Sequence, residues 1–253
     1  MKNKNLKKSV LNSFIAFFSI VALFCFILIF YNKFKVNKEN EILSEFVVYS
    51  NNGRISDSSE EKEEVIEYND SSLIESYRKK YNNNDIVGIL SIPDTKVNTL
   101  LLQTDNNEYY VRRLPNKKKH VTGSVFIDYR TKLDENKNVI IYGHNANNYD
   151  IPFKYLRNYL NKNYYLDHKY IEIETEYNKQ KYEIFSVYTT NNDYFHLETN
   201  FLNDESWINH LKKLESKSIY GTNISLSASD SIITLQTCLL KDNALIIISA
   251  KKV

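Results

Sequence analysis

The sequence predicts a mostly β domain, an eight-stranded barrel with inserted helices, that follows an N-terminal transmembrane helix. From residue 84 onward, short apolar runs alternate with turn residues. Twenty Tyr and thirteen Phe, against one Trp and one Met, indicate an aromatic-rich β core. One uncharged segment, residues 9–31, has the roughly 20 apolar positions needed to cross a bilayer as a helix.

The N-terminus has the pattern of an uncleaved membrane anchor. Lysines are frequent in residues 1–8, and the apolar run that follows is longer than that of a signal peptide and lacks a small-residue cleavage site. The lysines and the free amine favour an N-terminus inside the cell, although Lys33, Lys35 and Lys38 follow the run as well. We therefore predict a single-pass protein of the cell membrane, with residues 1–8 cytoplasmic, residues 9–31 as the anchor and the rest of the chain extracellular.

A polar segment, residues 32–74, separates the anchor from the predicted domain of residues 75–253. It contains an acidic cluster at residues 57–64, and its composition is typical of a solvated stalk that is partly helical. The formal net charge of the whole chain is +2, and no basic cluster interleaves with aromatic residues. Nucleic-acid binding is therefore not predicted.

Eight strands are predicted along the domain. They cover residues 86–92, 97–102, 124–127, 139–142, 170–174, 182–189, 232–235 and 245–250. Many short strands with few helices favour a closed or nearly closed barrel.

Two helices are predicted between these strands. The first opens near Pro152, with Phe153, Leu156 and Leu160 on one face. The second starts at Asp204, and its apolar stripe consists of Trp207, Ile208, Leu211 and Leu214.

Cys238 is the most informative residue of the domain. It follows the apolar run 232–235, so that a strand would present its thiol at the rim of a site. The other cysteine, Cys25, lies in the predicted anchor, and no intramolecular disulfide partner is evident. A lone cysteine also packs as a small hydrophobe. To act as a nucleophile, it needs a base or a charge that favours the thiolate.

Five histidines are candidates for that base, and His144 is favoured among them. It follows a predicted strand, and Gly143 before it permits close backbone approach. Taken alone, a histidine there is more often structural than catalytic. His168 and His196 lie in polar sequence typical of an exposed surface, and His210 is predicted on the polar side of its helix. A zinc site with His144 and Cys238 lacks the usual ligand spacing and further ligands, so no metal or other cofactor is predicted.

Several motifs occur in order along the domain. Residues 234–238 read T-L-Q-T-C and residues 142–145 read Y-G-H-N, while residues 123–130 read G-S-V-F-I-D-Y-R. Residues 88–93, and Gln103 with residues 107–110, supply two earlier landmarks. This set resembles the sortases, cysteine transpeptidases of Gram-positive surfaces, and most closely their class B. The resemblance covers about residues 75–253.

The resemblance implies a two-step acyl transfer at the cell wall. Cys238 would attack the Thr carbonyl of a C-terminal sorting signal in an exported protein, and a peptidoglycan precursor or cross-bridge amine would resolve the thioester. Class B relatives favour signals of the N-P-x-T-x kind. His144 would act as general acid and base.

The resemblance also implies supporting residues. Thr237 and nearby backbone N–H groups would hold the developing oxyanion, and Asn145 completes the histidine motif. Asp128 matches an acidic strand residue near the site, with a strand-end cap or an ion pair with Arg130 as the alternative.

One position departs from the sortase pattern. Sortases carry an arginine on the strand after the cysteine, and counting back from Ala250 places Leu245 there, or Ala244 if the register slips by one residue. No arginine follows Arg157 in this chain. The resemblance therefore leaves two functions open: a transpeptidase, of low activity unless another cation substitutes, or a sortase-like peptide-binding surface protein with weak or no catalysis. Candidate cations from elsewhere in the chain are Lys241, Arg130 and Arg112.

Overall fold

A computed structural model describes residues 2–48, 73–239 and 244–253. The chain forms two compact units, Met1–Glu45 and Phe46–Val253. The first unit contains helix α1, Lys2–Ser44, and its part Phe14–Ser44 is long and apolar enough to cross a membrane. The predicted anchor lies within α1, while the acidic cluster of residues 57–64 lies outside the described residues.

The second unit is built on eight strands that close into a barrel, which confirms the predicted fold class. The strands are β1 (Ile86–Ser91), β2 (Asn98–Leu102), β3 (Phe126–Ile127), β4 (Asn138–Tyr142), β5 (Tyr170–Glu174), β6 (Lys179–Thr190), β7 (Ile232–Cys238) and β8 (Leu245–Lys252). Their order around the barrel is β1-β2-β3-β4-β7-β8-β6-β5. The β2–β3 and β4–β7 pairs are parallel, and the other pairs are antiparallel.

Strand β7 extends three residues beyond the predicted apolar run and ends at Cys238. Its polar end still belongs to the sheet because β4 pairs with it as far as Gln236 and β8 pairs with it as far as Cys238. The cysteine is therefore the last residue of a strand that has neighbours on both sides.

Helical segments precede and interrupt the strands of the barrel. They are α2 (Leu73–Tyr81), α3 (Lys162–Asp167), α4 (Asp204–Lys217) and three 3-10 helices, Tyr109–Arg112, Pro152–Leu160 and Phe195–Leu197. Helix α4 follows its N-cap residue Asn203, which forms a capping box with Ser206. It buries Trp207, Leu211 and Leu214 as predicted.

The segment that starts at Pro152 is a 3-10 helix, and this changes which residues it buries. Phe153, Leu156 and Tyr159 are fully buried, whereas Leu160 is 42% exposed. A 3-10 helix has three residues per turn, so positions three apart share a face. The expectation that Leu160 belongs to the buried face was therefore wrong.

Side chains alternate between the interior and the outside of the barrel along β7. Ile233 and Leu235 belong to the interior core, while Ile232 packs outside, in the cluster that contains Trp207 of α4. By the same alternation Thr237 points inward, and Gln236 and Cys238 point outward. The outer face of β7 is therefore the face on which the cysteine is presented.

Candidate active site

The parallel pairing of β4 with β7 brings the favoured histidine and the cysteine to the same end of the barrel. Tyr142 pairs with Gln236, and the Gly143 N–H donates to the Gln236 carbonyl at 3.2 Å. His144 and Cys238 each lie two residues beyond this pair along the chain. The register therefore brings both residues to the neighbouring ends of β4 and β7, which as paired strands are about 4.8 Å apart.

Cys238 has an exposed thiol at the point where β7 ends. The next residue, Leu239, donates its N–H to the Ala244 carbonyl at 2.6 Å, so the β7–β8 pairing continues past the cysteine. The thiol is accessible, while its backbone is held by the sheet.

The half-buried His144 ring is oriented by a main-chain carbonyl. Its Nε2 lies 2.8 Å from the Val111 carbonyl oxygen. A carbonyl can only accept a hydrogen bond, so Nε2 carries the proton and Nδ1 is the basic nitrogen of the neutral ring. Burial holds the pKa of His144 below its usual value; the Val111 bond opposes this shift and the charge of Arg112 adds to it.

A glycine fixes the position of this carbonyl. Gly123 has φ +57°, and a Cβ added there would overlap the Val111 carbonyl oxygen. The following residue, Ser124, donates its N–H to the Tyr110 carbonyl at 3.0 Å. Close packing at Gly123 therefore sets the acceptor that orients His144. Gly143 is likewise in close contact, because an added Cβ would lie 2.5 Å from the Phe153 ring.

Asn145 connects the loop after β4 to the end of β7. It is buried, and its Nδ2 donates to the Cys238 carbonyl at 2.8 Å. This hydrogen bond holds the backbone of the two neighbouring strand ends together.

Thr237 is only 2% exposed, and its hydroxyl has no hydrogen-bond partner among the residues that the structure describes. Because Thr237 points into the barrel, its hydroxyl and the Cys238 thiol lie on opposite faces of β7. The Thr237 side chain is therefore not on the side of the thiol.

Asp128 follows β3 and is fully buried in a set of hydrogen bonds. It accepts from Arg130 Nε and Nη2 at 3.0 and 2.8 Å, from the Tyr142 hydroxyl at 2.8 Å and from Asn107 Nδ2 at 3.0 Å. Burial alone would raise the pKa of Asp128, but the bonds from Arg130, Tyr142 and Asn107 together hold it below its usual value. The geometry is that of the ion pair with Arg130.

Leu245 lies directly opposite Cys238 in the antiparallel β7–β8 register. On its other side Leu245 pairs with Thr190 of β6. An aliphatic side chain therefore occupies the strand position beside the thiol, where it offers neither a charge nor a hydrogen-bond donor.

The three candidate cations differ in what they contact. Arg130 is engaged by Asp128 and also donates to the Leu197 carbonyl at 3.3 Å. Arg112 donates to the Val121 carbonyl, and its charge acts on His144. Lys241 lies outside the described residues.

Two histidines expected at the surface are buried, so those expectations were wrong. His196 is 0% exposed and its Nε2 lies 2.7 Å from Gln236 Oε1. His210 is 6% exposed and stacks on Trp207; burial lowers its pKa to about 4. The apolar neighbours of His196, Phe195 and Leu197, were the one local signal of burial. Within residues 2–48, 73–239 and 244–253, no three His, Cys, Asp or Glu side chains cluster as a metal site would require.

The chain thus combines a closed eight-stranded barrel with a cysteine and a histidine at the ends of two paired strands. The Sortase domain family model matches residues 90–253. The chain belongs to the sortase family.

The similar proteins within the family are sortases B, which confirms the class B resemblance. The chain is 38% identical over 157 residues to Sortase B of Listeria monocytogenes and 32% identical over 157 residues to that of Staphylococcus aureus, in each case over 62% of this chain. The alignments cover 63% and 64% of those proteins, so this chain spans less than two thirds of their length.

Solved structures give the same result. A sortase B structure from Listeria monocytogenes superposes with a TM-score of 0.63 at 36% identity, covering 70% of this chain and 98% of that one. A Staphylococcus aureus sortase B–substrate complex superposes with a TM-score of 0.66 at 31% identity, over 71% of this chain and 84% of that one. Another similar structure is a sortase B in complex with triglycine.

Proposed function

We propose that this protein is a membrane-anchored cysteine transpeptidase that cleaves a C-terminal sorting signal of exported proteins and transfers the acyl group to a cell-wall amine. The observation that carries the proposal is the parallel pairing of β4 with β7, with Tyr142 opposite Gln236, so that His144 and Cys238 each follow two residues later at neighbouring strand ends. This arrangement gives a strand-held thiol a neighbouring base.

The chemistry uses these two side chains in both steps. The Cys238 thiolate attacks the peptide carbonyl carbon and forms a C–S bond. The C–N bond then breaks, and the leaving amine takes a proton from the His144 imidazolium. In the second step an amine attacks the thioester, His144 accepts its proton, and the C–S bond breaks to regenerate the thiolate.

The surrounding groups support this assignment of roles. The Val111 carbonyl fixes the ring of His144, and Asn145 holds the carbonyl of Cys238. We assign the oxyanion to backbone N–H groups of the β7 end, because Thr237 is turned inward. Asp128 is assigned an indirect role, since it binds Arg130 in the turn after β3 and Tyr142 at the end of β4.

The substrate classes follow from the chemistry and from the similar proteins. A sortase B has been solved with its substrate and another with triglycine, a short peptide with a free amine. For this chain we propose a sorting-signal peptide as acyl donor and a peptidoglycan amine as acceptor. The apolar part of α1 would anchor the protein with its N-terminus inside and the barrel outside the cell.

Intact-mass measurement of the full-length chain in detergent tests the proposal. The protein is incubated with a panel of sorting-signal peptides and examined for an acyl adduct on Cys238. We expect an adduct with at least one peptide, its loss in Cys238→Ala, and its release on addition of triglycine. A folded protein whose Cys238 thiol reacts with iodoacetamide but forms no adduct with any peptide would contradict the proposal.

The second candidate is a sortase-like surface protein that binds peptides with weak or no catalysis. Leu245 is the observation that favours it, because this side chain pairs with Cys238 where the family pattern has an arginine. A peptide that binds wild type and Cys238→Ala equally, with no thioester in the wild type, would support this candidate.

A further inference from the structure

A buried histidine contacts the strand that carries the candidate nucleophile. His196 is 0% exposed, and its Nε2 lies 2.7 Å from Oε1 of Gln236. Gln236 is half-buried and lies two residues before Cys238 on the same outward face of β7. The contact therefore joins the segment after β6 to a side chain beside the thiol.

The surroundings of the ring determine which nitrogen carries its proton. Within the part of the chain that the structure describes, His196 Nδ1 has no hydrogen-bond partner. A proton on Nδ1 would leave a buried donor unpaired, whereas a proton on Nε2 has the Gln236 oxygen as acceptor. Gln236 therefore turns its oxygen toward His196, and its NH₂ group points away from the ring.

The backbone around His196 is held by the barrel. Asn138 Nδ2 donates to the His196 carbonyl at 3.1 Å and to the Glu198 carbonyl at 2.9 Å. Asn138 in turn accepts from the Thr234 hydroxyl at 2.9 Å, and Arg130 donates to the Leu197 carbonyl at 3.3 Å. The position of the ring is thus determined by β4 and β7.

We propose that the Gln236 side-chain NH₂ donates a hydrogen bond to a backbone carbonyl of the bound peptide, and that His196 is a positioning residue that orients this amide. The inference rests on the proposed function, of which it specifies one substrate contact. Two strand residues span about 6.6 Å, and an extended peptide advances about 3.3 Å per residue. The carbonyl that Gln236 contacts therefore lies one or two residues from the one attacked by Cys238.

The test measures the peptide concentration that gives half-maximal adduct formation and the maximal rate, with the full-length chain and a peptide that reacts with the wild type. Gln236→Met keeps the length of the side chain and removes its polar atoms. We expect the half-saturating concentration to rise about 3- to 10-fold, with the maximal rate within about twofold of the wild-type value. Gln236→Glu keeps an oxygen toward His196 and lacks the NH₂ group, so the same rise is expected.

The role of His196 is tested through a double mutant. His196→Phe keeps an aromatic ring against Tyr188 and Phe195 but removes the donor. We expect a smaller rise than in Gln236→Met, and no further rise when the two changes are combined, because His196 acts through Gln236.

A matched control is Gln180→Met. Gln180 is another glutamine with side-chain hydrogen bonds, to Asp134 and Asn178. It lies near the start of β6, about 30 Å along the strand from Thr190, the residue that pairs with Leu245 beside the thiol. The half-saturating peptide concentration of the Gln180→Met variant should equal that of the wild type. Iodoacetamide must alkylate Cys238 at the wild-type rate in each variant, which separates lost peptide contact from a disturbed thiol.

The possible failures are distinguishable. An adduct in the wild type with an unchanged half-saturating concentration in both Gln236 variants overturns this inference alone. Additive effects of the two substitutions overturn the orienting role of His196. The absence of an adduct in the wild type overturns the proposed function and this inference together.

Discussion

The two flanks of β7 differ sharply in chemistry. On the β4 flank, polar contacts are made by Tyr142, His144 and Asn145. These contacts hold the Tyr142 and His144 rings and the end of β7 in place. On the β8 flank, Leu245 and Ile247 pair with Cys238 and Gln236 and contribute only apolar surface. The proposed base therefore lies on one side of β7, while the other side contributes apolar surface and no charge.

This difference separates two requirements of acyl transfer. A base can be supplied at one strand end, and the base that we propose, His144, follows β4 and has its ring oriented by the Val111 carbonyl. Stabilisation of a developing negative charge needs donors or a cation, and the first β8 residue supplies neither.

Replacing the proposed base should give the largest effect, because it removes the titratable ring from the β4 flank. His144→Ala should lower the rate of adduct formation by about 10²- to 10⁴-fold, because the leaving amine loses its proton donor. His168→Ala is the matched control, since His168 is also half-buried and also contacts a carbonyl, that of Tyr164, through a ring nitrogen. Equal rates for both variants in a quenched time course would contradict the role of His144.

Adding a cation to the apolar flank should give the next largest effect. Removal of a preorganised oxyanion donor costs about 10²- to 10³-fold in rate, and an arginine introduced without a prepared site should recover part of this. We expect Leu245→Arg to raise the rate of adduct formation about tenfold. Leu245→Met is the size control, and an equal gain in both variants would exclude a charge effect.

Removing the connection between the two strand ends should have a moderate effect. Asn145→Ala leaves the Cys238 carbonyl without its donor, which should lower the free energy of unfolding by about 1–3 kcal/mol and slow adduct formation severalfold. Urea unfolding and the mass-spectrometric time course measure the two quantities. Asn136→Ala, which removes the side-chain acceptor of the Lys132 N–H in a turn, should leave the adduct rate unchanged. If both variants slow the reaction equally, the effect is not specific to Asn145.

The smallest effect at neutral pH is expected from His210, which lies on the buried face of α4. Its pKa of about 4 is below the ordinary 6.5, so between these values the unfolded chain holds a proton that the folded chain lacks. Stability should therefore fall as the pH decreases from 6.5 to 4, by up to about 3 kcal/mol.

His210→Phe should match the wild type at pH 7.5 and lose less stability on acidification. Urea unfolding at a series of pH values checks this, with His168→Phe as the control. A pH dependence that is the same in His210→Phe and wild type would exclude His210 as its source.

The positions of the strands could be predicted from the sequence, but the buried faces of some helices could not. Eight apolar runs bounded by turn residues identified all eight strands, because alternation and turn chemistry are local. The prediction of which face of the Pro152 segment is buried was wrong, because an α-helical period was applied to a 3-10 helix. The burial of His196 and His210 could not be derived locally, since it depends on which element covers them.

The site itself depends on long-range pairing. Nothing in the residues around His144 or Cys238 specifies that β4 and β7 are parallel neighbours with Tyr142 opposite Gln236. The motif resemblance supplied this relation, and its consequences for Asn145 and for the inward-facing Thr237 became apparent only from the register.

The pairing of Leu245 with Cys238 also has a consequence for chemical probes. An electrophile that reaches the thiol contacts the aliphatic Leu245 side chain on the β8 side. A branched alkyl group on that side of the electrophile would therefore be buried when the thiol reacts. Its burial would stabilise the adduct by about 0.8 kcal/mol for each methylene removed from water. A carboxylate in the same place would lose its hydration without gaining a cation. Hydrophobic covalent inhibitors should therefore label the wild-type protein in preference to a Leu245→Arg variant.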